Sequence, residues 1–117
     1  MANKPVPSAQ IIPFPRRPLG LTPHERARIT AWCDPQGPAW ETRWHRTQDH
    51  GAYAAIVSPR SIRYRSGHAD PSWIMLREEQ RVIVFDPASQ NDLGCFETVE
   101  EALGAISLAE GLYAAAG

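Results

Sequence analysis

Cysteine, lysine and long apolar runs are what this 117-residue sequence has least of. Cys33 and Cys95 are too few for a disulfide framework, and no Cys-x-x-Cys pair suggests a redox or zinc motif. No stretch approaches the roughly 18 consecutive apolar residues of a membrane span. The N-terminus lacks the continuous apolar core of a signal peptide, so the expectation is a soluble, cytoplasmic protein with no membrane partner. The eight glycines are scattered, and none opens a G-x-G-x-x-G or G-x-x-x-x-G-K loop that would cradle phosphate. Neither a G-x-S-x-G elbow nor an H-E-x-x-H helix is present, which removes two common hydrolytic designs.

What remains is the composition of one domain, 43% hydrophobic and 21% charged, which excludes collagen, coiled coil and wholesale disorder. The net charge of −1 hides a division: residues 1–65 carry +6 and residues 66–117 carry −7. Such a split predicts an anionic partner for the basic half, or self-complementary contacts within one fold or between two copies. Eleven of the twelve bases are arginine, which favours bidentate contacts and is also what a GC-rich genome produces, so the compositional expectation is a bacterial source.

Residues 1–20 contain Pro5, Pro7, Pro13, Pro15 and Pro18. Each removes a backbone donor and biases its predecessor towards extended geometry, so the segment reads as a proline-rich flexible arm ahead of a single domain at 21–117. Within it, Ile11, Ile12 and Phe14 are apolar side chains that a solvated arm does not need, and Arg16 and Arg17 follow them. That pattern predicts a short recognition segment, docking on a partner or on its own domain, with Phe14 as anchor.

Thr22-Pro23-His24-Glu25 combines an N-cap hydroxyl, proline at the first helical position and a capping-box glutamate. It predicts a helix from Pro23 to Cys33 with Ile29, Trp32 and Cys33 on its apolar stripe. Asp34, Pro35, Gly37 and Pro38 then break the chain. From 40 to 86 the pattern alternates with period two. Trp40, Thr42 and Trp44 share one face of a first strand, residues 52–58 form a second, Ser61–Arg65 a third, and SWIMLRE and RVIVFD two more. Those last two are apolar on both faces, so the sheet needs cover on both sides. Thr98-Val99-Glu100-Glu101 opens the last helix, with Val99, Ala102, Leu103, Ile106 and Tyr113 on one side and Leu108 and Leu112 widening it. The predicted class is α+β: two layers, a mostly antiparallel meander of four to five strands, a short N-terminal helix and a C-terminal helix packed on the sheet. The second cover falls to the first helix, the Ile11–Phe14 segment or a second copy in a homodimer.

Chemistry is sparse. Cys33, His45, His50, His68, Asp70 and Cys95 are ligand types at spacings that suit zinc poorly, and Asp70 in the SGHADP loop reads as an Asx turn. Both cysteines read as buried small hydrophobes. Glu78-Glu79 point apart on a strand, and Glu100-Glu101 suit a helix N-terminus, so neither pair reads as a general acid and base. The expectation is no catalytic residue, no metal and no cofactor. Arg43 and His45 on the first strand and Arg63 and Arg65 on the third oppose the apolar residues, forming a basic face with Arg46 and Arg60 at its ends. Two functions follow: a non-enzymatic accessory, adaptor or inhibitor protein that binds a protein partner, or a regulator that binds nucleic acid through the arginine face.

Overall fold

The computed structural model describes residues 20–116, so the arm residues Ile11, Ile12, Phe14, Arg16 and Arg17 lie outside the described residues. Helix α1 spans Pro23–Cys33 and runs into a 3-10 turn at Asp34–Gln36. Five strands follow, β1 (Glu41–Thr47), β2 (Gly51–Val57), β3 (Trp73–Glu78), β4 (Arg81–Phe85) and β5 (Asp92–Phe96), and helix α2 (Val99–Ala116) ends the chain's described part. The strands lie in the sheet in sequence order, and each pairs antiparallel with the next. This is the expected α+β meander, with α2 packed on the sheet. No helix among the described residues is long and apolar enough to cross a membrane.

Both helix starts form as their sequences require. The Glu25 amide donates to Thr22 Oγ1 at 3.1 Å while the Thr22 amide donates to Glu25 Oε1 at 3.0 Å, satisfying two N–H groups that the first turn would otherwise leave open. Thr98 and Glu101 repeat the exchange at 3.1 and 3.4 Å.

Two strand assignments differ from the sequence reading. Residues 61–65 are not a strand: 58–72 is one long connection, and Arg63 meets Ala69 in an isolated bridge. Alternation alone could not make a strand there, because the edge of β2 that it would need is already taken by β3. The fifth strand is instead Asp92–Phe96, whose sequence DLGCF has Gly and Asp, both poor strand formers. It forms by pairing with β4 across a register shift at Val84/Phe85, and by sending Leu93 and Phe96 against the core.

The core lies on one side of the sheet. Ile29 of α1 and Val99, Ala102, Leu103 and Ile106 of α2 cluster with Ala54, Ile56, Trp73, Met75, Val82 and Val84. Both helices therefore cover the same face, so α1 is not the second cover. On the other face, Ala55 and Val57 are buried beneath the 58–72 connection, which Arg43 pins through its Nη1 bond to the Ala69 carbonyl at 2.8 Å. Trp44 shares the core-side parity of Trp40, yet it is 39% exposed, because β1 is an edge strand and only its Trp40 end meets the core cluster. Cys33 is buried as expected, but Cys95 is exposed on the opposite strand edge.

The charge division resolves largely inside the fold. Arg28 pairs with Glu100, Arg60 with Asp86 and Glu110, and Arg77 with Glu25, each joining one half of the sequence to the other. The Arg77–Glu25 pair is the one that positions α1. Arg77 Nε donates to Glu25 Oε1 at 3.0 Å and Nη2 to Oε2, so one carboxylate closes the capping box and clamps the helix start to the end of β3. Burial would raise the Glu25 pKa, but the Arg77 hydrogen bond, the Thr22 amide and the Arg77 charge outweigh it and hold the carboxyl below its usual range.

A carboxyl held low in the folded state contributes stability above its unfolded value of about 4.3, and that contribution disappears as pH falls through the lowered folded value. Arg77→Met should therefore cost about 2 kcal/mol at pH 7 and much less at pH 3, read from urea midpoints at the two pH values. Gly20 gives a second test. It bridges Ala52 in parallel with φ +78°, and a Cβ there would lie 2.3 Å from the Ala52 nitrogen and 2.7 Å from the His50 carbonyl oxygen. Gly20→Ala should lower the urea midpoint by the equivalent of at least about 1 kcal/mol, since backbone cannot move aside as a side chain can.

Candidate functional site

The densest polar cluster in the described residues sits where α2 meets the start of β3. Glu110 faces inward from an otherwise apolar half of α2, one turn beyond the buried Ile106. Its Oε2 accepts from Trp73 Nε1 at 2.8 Å, Arg60 Nε at 2.9 Å and Ser58 Oγ at 3.1 Å. Ser58 Oγ lies 2.8 Å from Ser72 Oγ, which lies 2.6 Å from Ser61 Oγ, and the Ser61 hydroxyl accepts the Ser58 amide. Arg60 also donates to the Ser72 carbonyl oxygen, and its guanidinium lies 4.7 Å from the centre of the Trp73 ring and 4.2 Å from that of Tyr113. The local reason is the 58–72 connection: it leaves β2 at Ser58, returns to β3 at Ser72, and folds its polar ends under α2.

This is a closed set of donors and acceptors. Ser58 and Ser72 are 0% and 3% exposed, so neither hydroxyl reaches solvent, and every acceptor bond of Glu110 ends on a group of the chain itself. Open space lies on either side. One cleft of about 490 Å³ is lined by Gln36, Trp40, Arg60, Ser107, Gly111 and Tyr113. The other, about 390 Å³, has Trp73, Leu93 and Ala109 in its walls, with Leu112, Tyr113 and Asp92 around it. Beside it Leu108 and Leu112 are 70% and 66% exposed.

The residues expected to make one basic face are dispersed. Arg43 is held by the Ala69 carbonyl and the Glu41 carboxylate. Arg63 clips the connection, donating to the carbonyls of Ser58, Ser61 and Ala39. Arg60 turns to Glu110 on the α2 side. His45 stacks on Tyr53 at 5.3 Å, while Arg46 and Arg65 are exposed, one on β1 and one in the connection. Asp70 accepts a hydrogen bond from the Tyr64 hydroxyl, with His68 Nε2 3.3 Å from its Oδ1, and none from local amides, so the Asx turn expected there is absent; Asp86, which accepts from the Ala88 amide, makes that kind of contact instead. The Asp70 bond and charge raise the Tyr64 pKa. Among the described residues no three His, Cys, Asp or Glu groups gather in a way that could hold a metal. Burial, with the charges of Asp34 and Glu41, raises the Cys33 thiol pKa against the opposing influence of Thr42, so this cysteine is an inert apolar filler.

Sequence reasoning missed Glu110, Ser58, Ser72 and Trp73 as a set. The signal was present in one form: Glu110 is the lone charge in the last two turns of a helix reading ISLAEGLYAAA, at a position that faces inward with Ile106. Compared with known proteins, the chain matches no family model, no curated protein and no solved structure.

Removing Glu110 should expose how much the cluster holds. Glu110→Ala leaves Arg60 and the Trp73 indole N–H without their shared acceptor and should cost roughly 2–4 kcal/mol, with Glu110→Gln losing less because one oxygen acceptor survives. Urea unfolding followed by tryptophan emission checks both.

Proposed function

We propose that the protein is a non-enzymatic binding module, of the accessory, adaptor or inhibitor kind, that acts in the cytoplasm through contact with another protein. The observation that carries this reading is the pair Leu108 and Leu112 on α2, standing in solvent beside the cleft walled by Trp73, Leu93 and Ala109. Leucines four residues apart form one stripe, and the outer face of a surface helix normally carries charge. Contiguous exposed apolar surface beside a cleft is the usual mark of a contact site. The cleft accepts one or two side chains, being near the lower end of the ~300–1,000 Å³ typical of ligand pockets. Asp92 on its rim suits a partner whose apolar anchor is followed by a base.

The neighbouring polar cluster supports binding over catalysis, because Ser58 and Ser72 are buried and Glu110 Oε2 is engaged in holding Ser58, Arg60 and Trp73. The nucleic-acid reading draws little support from the arrangement of arginines. It requires a continuous basic surface, whereas Arg43, Arg60 and Arg63 are each bound to carbonyls or carboxylates of their own chain.

Leu108→Asp with Leu112→Asp in the full chain should leave stability within about 0.5 kcal/mol, since both side chains are exposed. The test immobilises wild type and variant side by side against a cell lysate, with and without nuclease and at low and high salt. A protein retained by wild type, lost by the variant and indifferent to nuclease and salt supports the reading. Its purified form should then bind the variant at least tenfold more weakly. Capture that survives both substitutions, or that nuclease abolishes, overturns it.

A further inference from the structure

The sheet face turned away from the helices carries two apolar rows. The strand registers place His45 beside Tyr53, set Leu76, Ile83 and Cys95 side by side, and put Arg43, Ala55, Ile74 and Phe85 in the next row. The 58–72 connection covers the Ala55 end, while Tyr53, Ile74, Leu76, Ile83 and Phe85 remain half-buried without a helix over them. We propose that the occupant of this face is the chain's own segment Ile11–Phe14, with Phe14 seated on Leu76 and Ile83 and Arg16 and Arg17 set against Glu78.

Four features carry the inference, and none depends on the partner reading above. First is the point of entry. Gly20 bridges Ala52 at the start of β2, near the end of β3, so the described fold begins at the sheet end that carries Glu78 and the β3–β4 turn. Second is the available space. The helix-bearing face is filled by the core cluster, leaving the opposite face as the apolar surface next to that entry. Third is reach. Gly20 lies six residue steps beyond Phe14, enough to span about 20 Å, whereas crossing from β2 to β4 takes only about 10 Å and moving two residues in from the turn about 7 Å. Fourth is chemistry. Ile11, Ile12 and Phe14 match the apolar rows in character, and Arg16 and Arg17 fall in the sequence between that anchor and Gly20, opposite in charge to the exposed Glu78, which projects on the same face as Leu76. Pro13 and Pro15 lack amide donors, so the segment docks by its side chains and does not add a strand.

The test uses the full-length protein with labelled isoleucine and leucine methyl groups and a labelled phenylalanine ring at two protein concentrations. The expected result is a set of nuclear Overhauser contacts from the Phe14 ring to the Leu76 and Ile83 methyls at both concentrations, absent from isotope-filtered mixtures of labelled and unlabelled chains. Phe14→Ala should shift those methyl resonances and leave those of Leu103 and Ile106 in place. A second readout needs no variant in the core: Cys95 lies in the same row and Cys33 is buried, so thiol labelling reports the face alone and should speed up severalfold in Phe14→Ala. Contacts that appear only between chains and grow with concentration would assign the face to a second copy and overturn the proposal. So would contacts from Phe14 to Leu93 or Leu112, or methyl positions and labelling rates indifferent to Phe14.

Discussion

A single carboxylate, Glu110, receives three donors from three separate parts of the chain, and the junction of helix, sheet and long connection is organised around that need. A charge taken out of water must be met by donors of good geometry, or the fold loses more than it gains. The chain meets it with an indole, a guanidinium and a hydroxyl that are 37, 50 and 52 residues away in sequence. Satisfying Glu110 therefore sets where β2 ends, where β3 begins and how the last turns of α2 lie across them. The aromatic pair on either side of Arg60 follows from the same requirement, because a guanidinium held in place by a carboxylate offers its flat faces to rings.

Elements whose signals are local were legible. Both capping boxes, the extent of α1 to Cys33 and the buried stripe of Val99, Ala102, Leu103 and Ile106 depend on residues three or four apart, and the structure has them, whereas Leu108, Leu112 and Tyr113 of the expected stripe are exposed. The meander class was legible for the same reason. Failure came where the deciding contact is distant. Residues 61–65 alternate like a strand but have no free edge to join, and DLGCF looks like a turn yet is drawn into the sheet by β4. Trp44 had the parity of a core residue, but parity does not say how far a covering helix extends. The polar cluster was hidden because serines at 58, 61 and 72 and a glutamate at 110 share no spacing; only the connection's path brings them together.

The charge split shows how a sequence-wide feature can have a local resolution. Bases of the first half and acids of the second meet across the helix pair and across the helix–sheet junction, while Glu25 and Arg77 reverse the direction. These pairs differ in weight. Arg28–Glu100 is half exposed on both sides and contributes little, whereas Arg77–Glu25 is largely shielded and shares its carboxylate with a helix cap. The arginines that might have made a nucleic-acid surface are, in the main, spent on carbonyls of the 58–72 connection and its neighbours.

The meander order has a kinetic consequence. Every strand pairs with its nearest neighbour in sequence, and apart from 58–72 the links between strands are short, so most sheet contacts form between segments already close along the chain. Low contact order of this kind speeds folding, because little loop entropy is lost before contacts begin to compensate. The contacts of α1 with α2, of Glu25 with Arg77 and of Glu110 with Ser58, Arg60 and Trp73 are among the long-range exceptions. Those of α1 reach furthest along the chain, so its closure over the sheet is expected late in assembly and its release early when the domain opens.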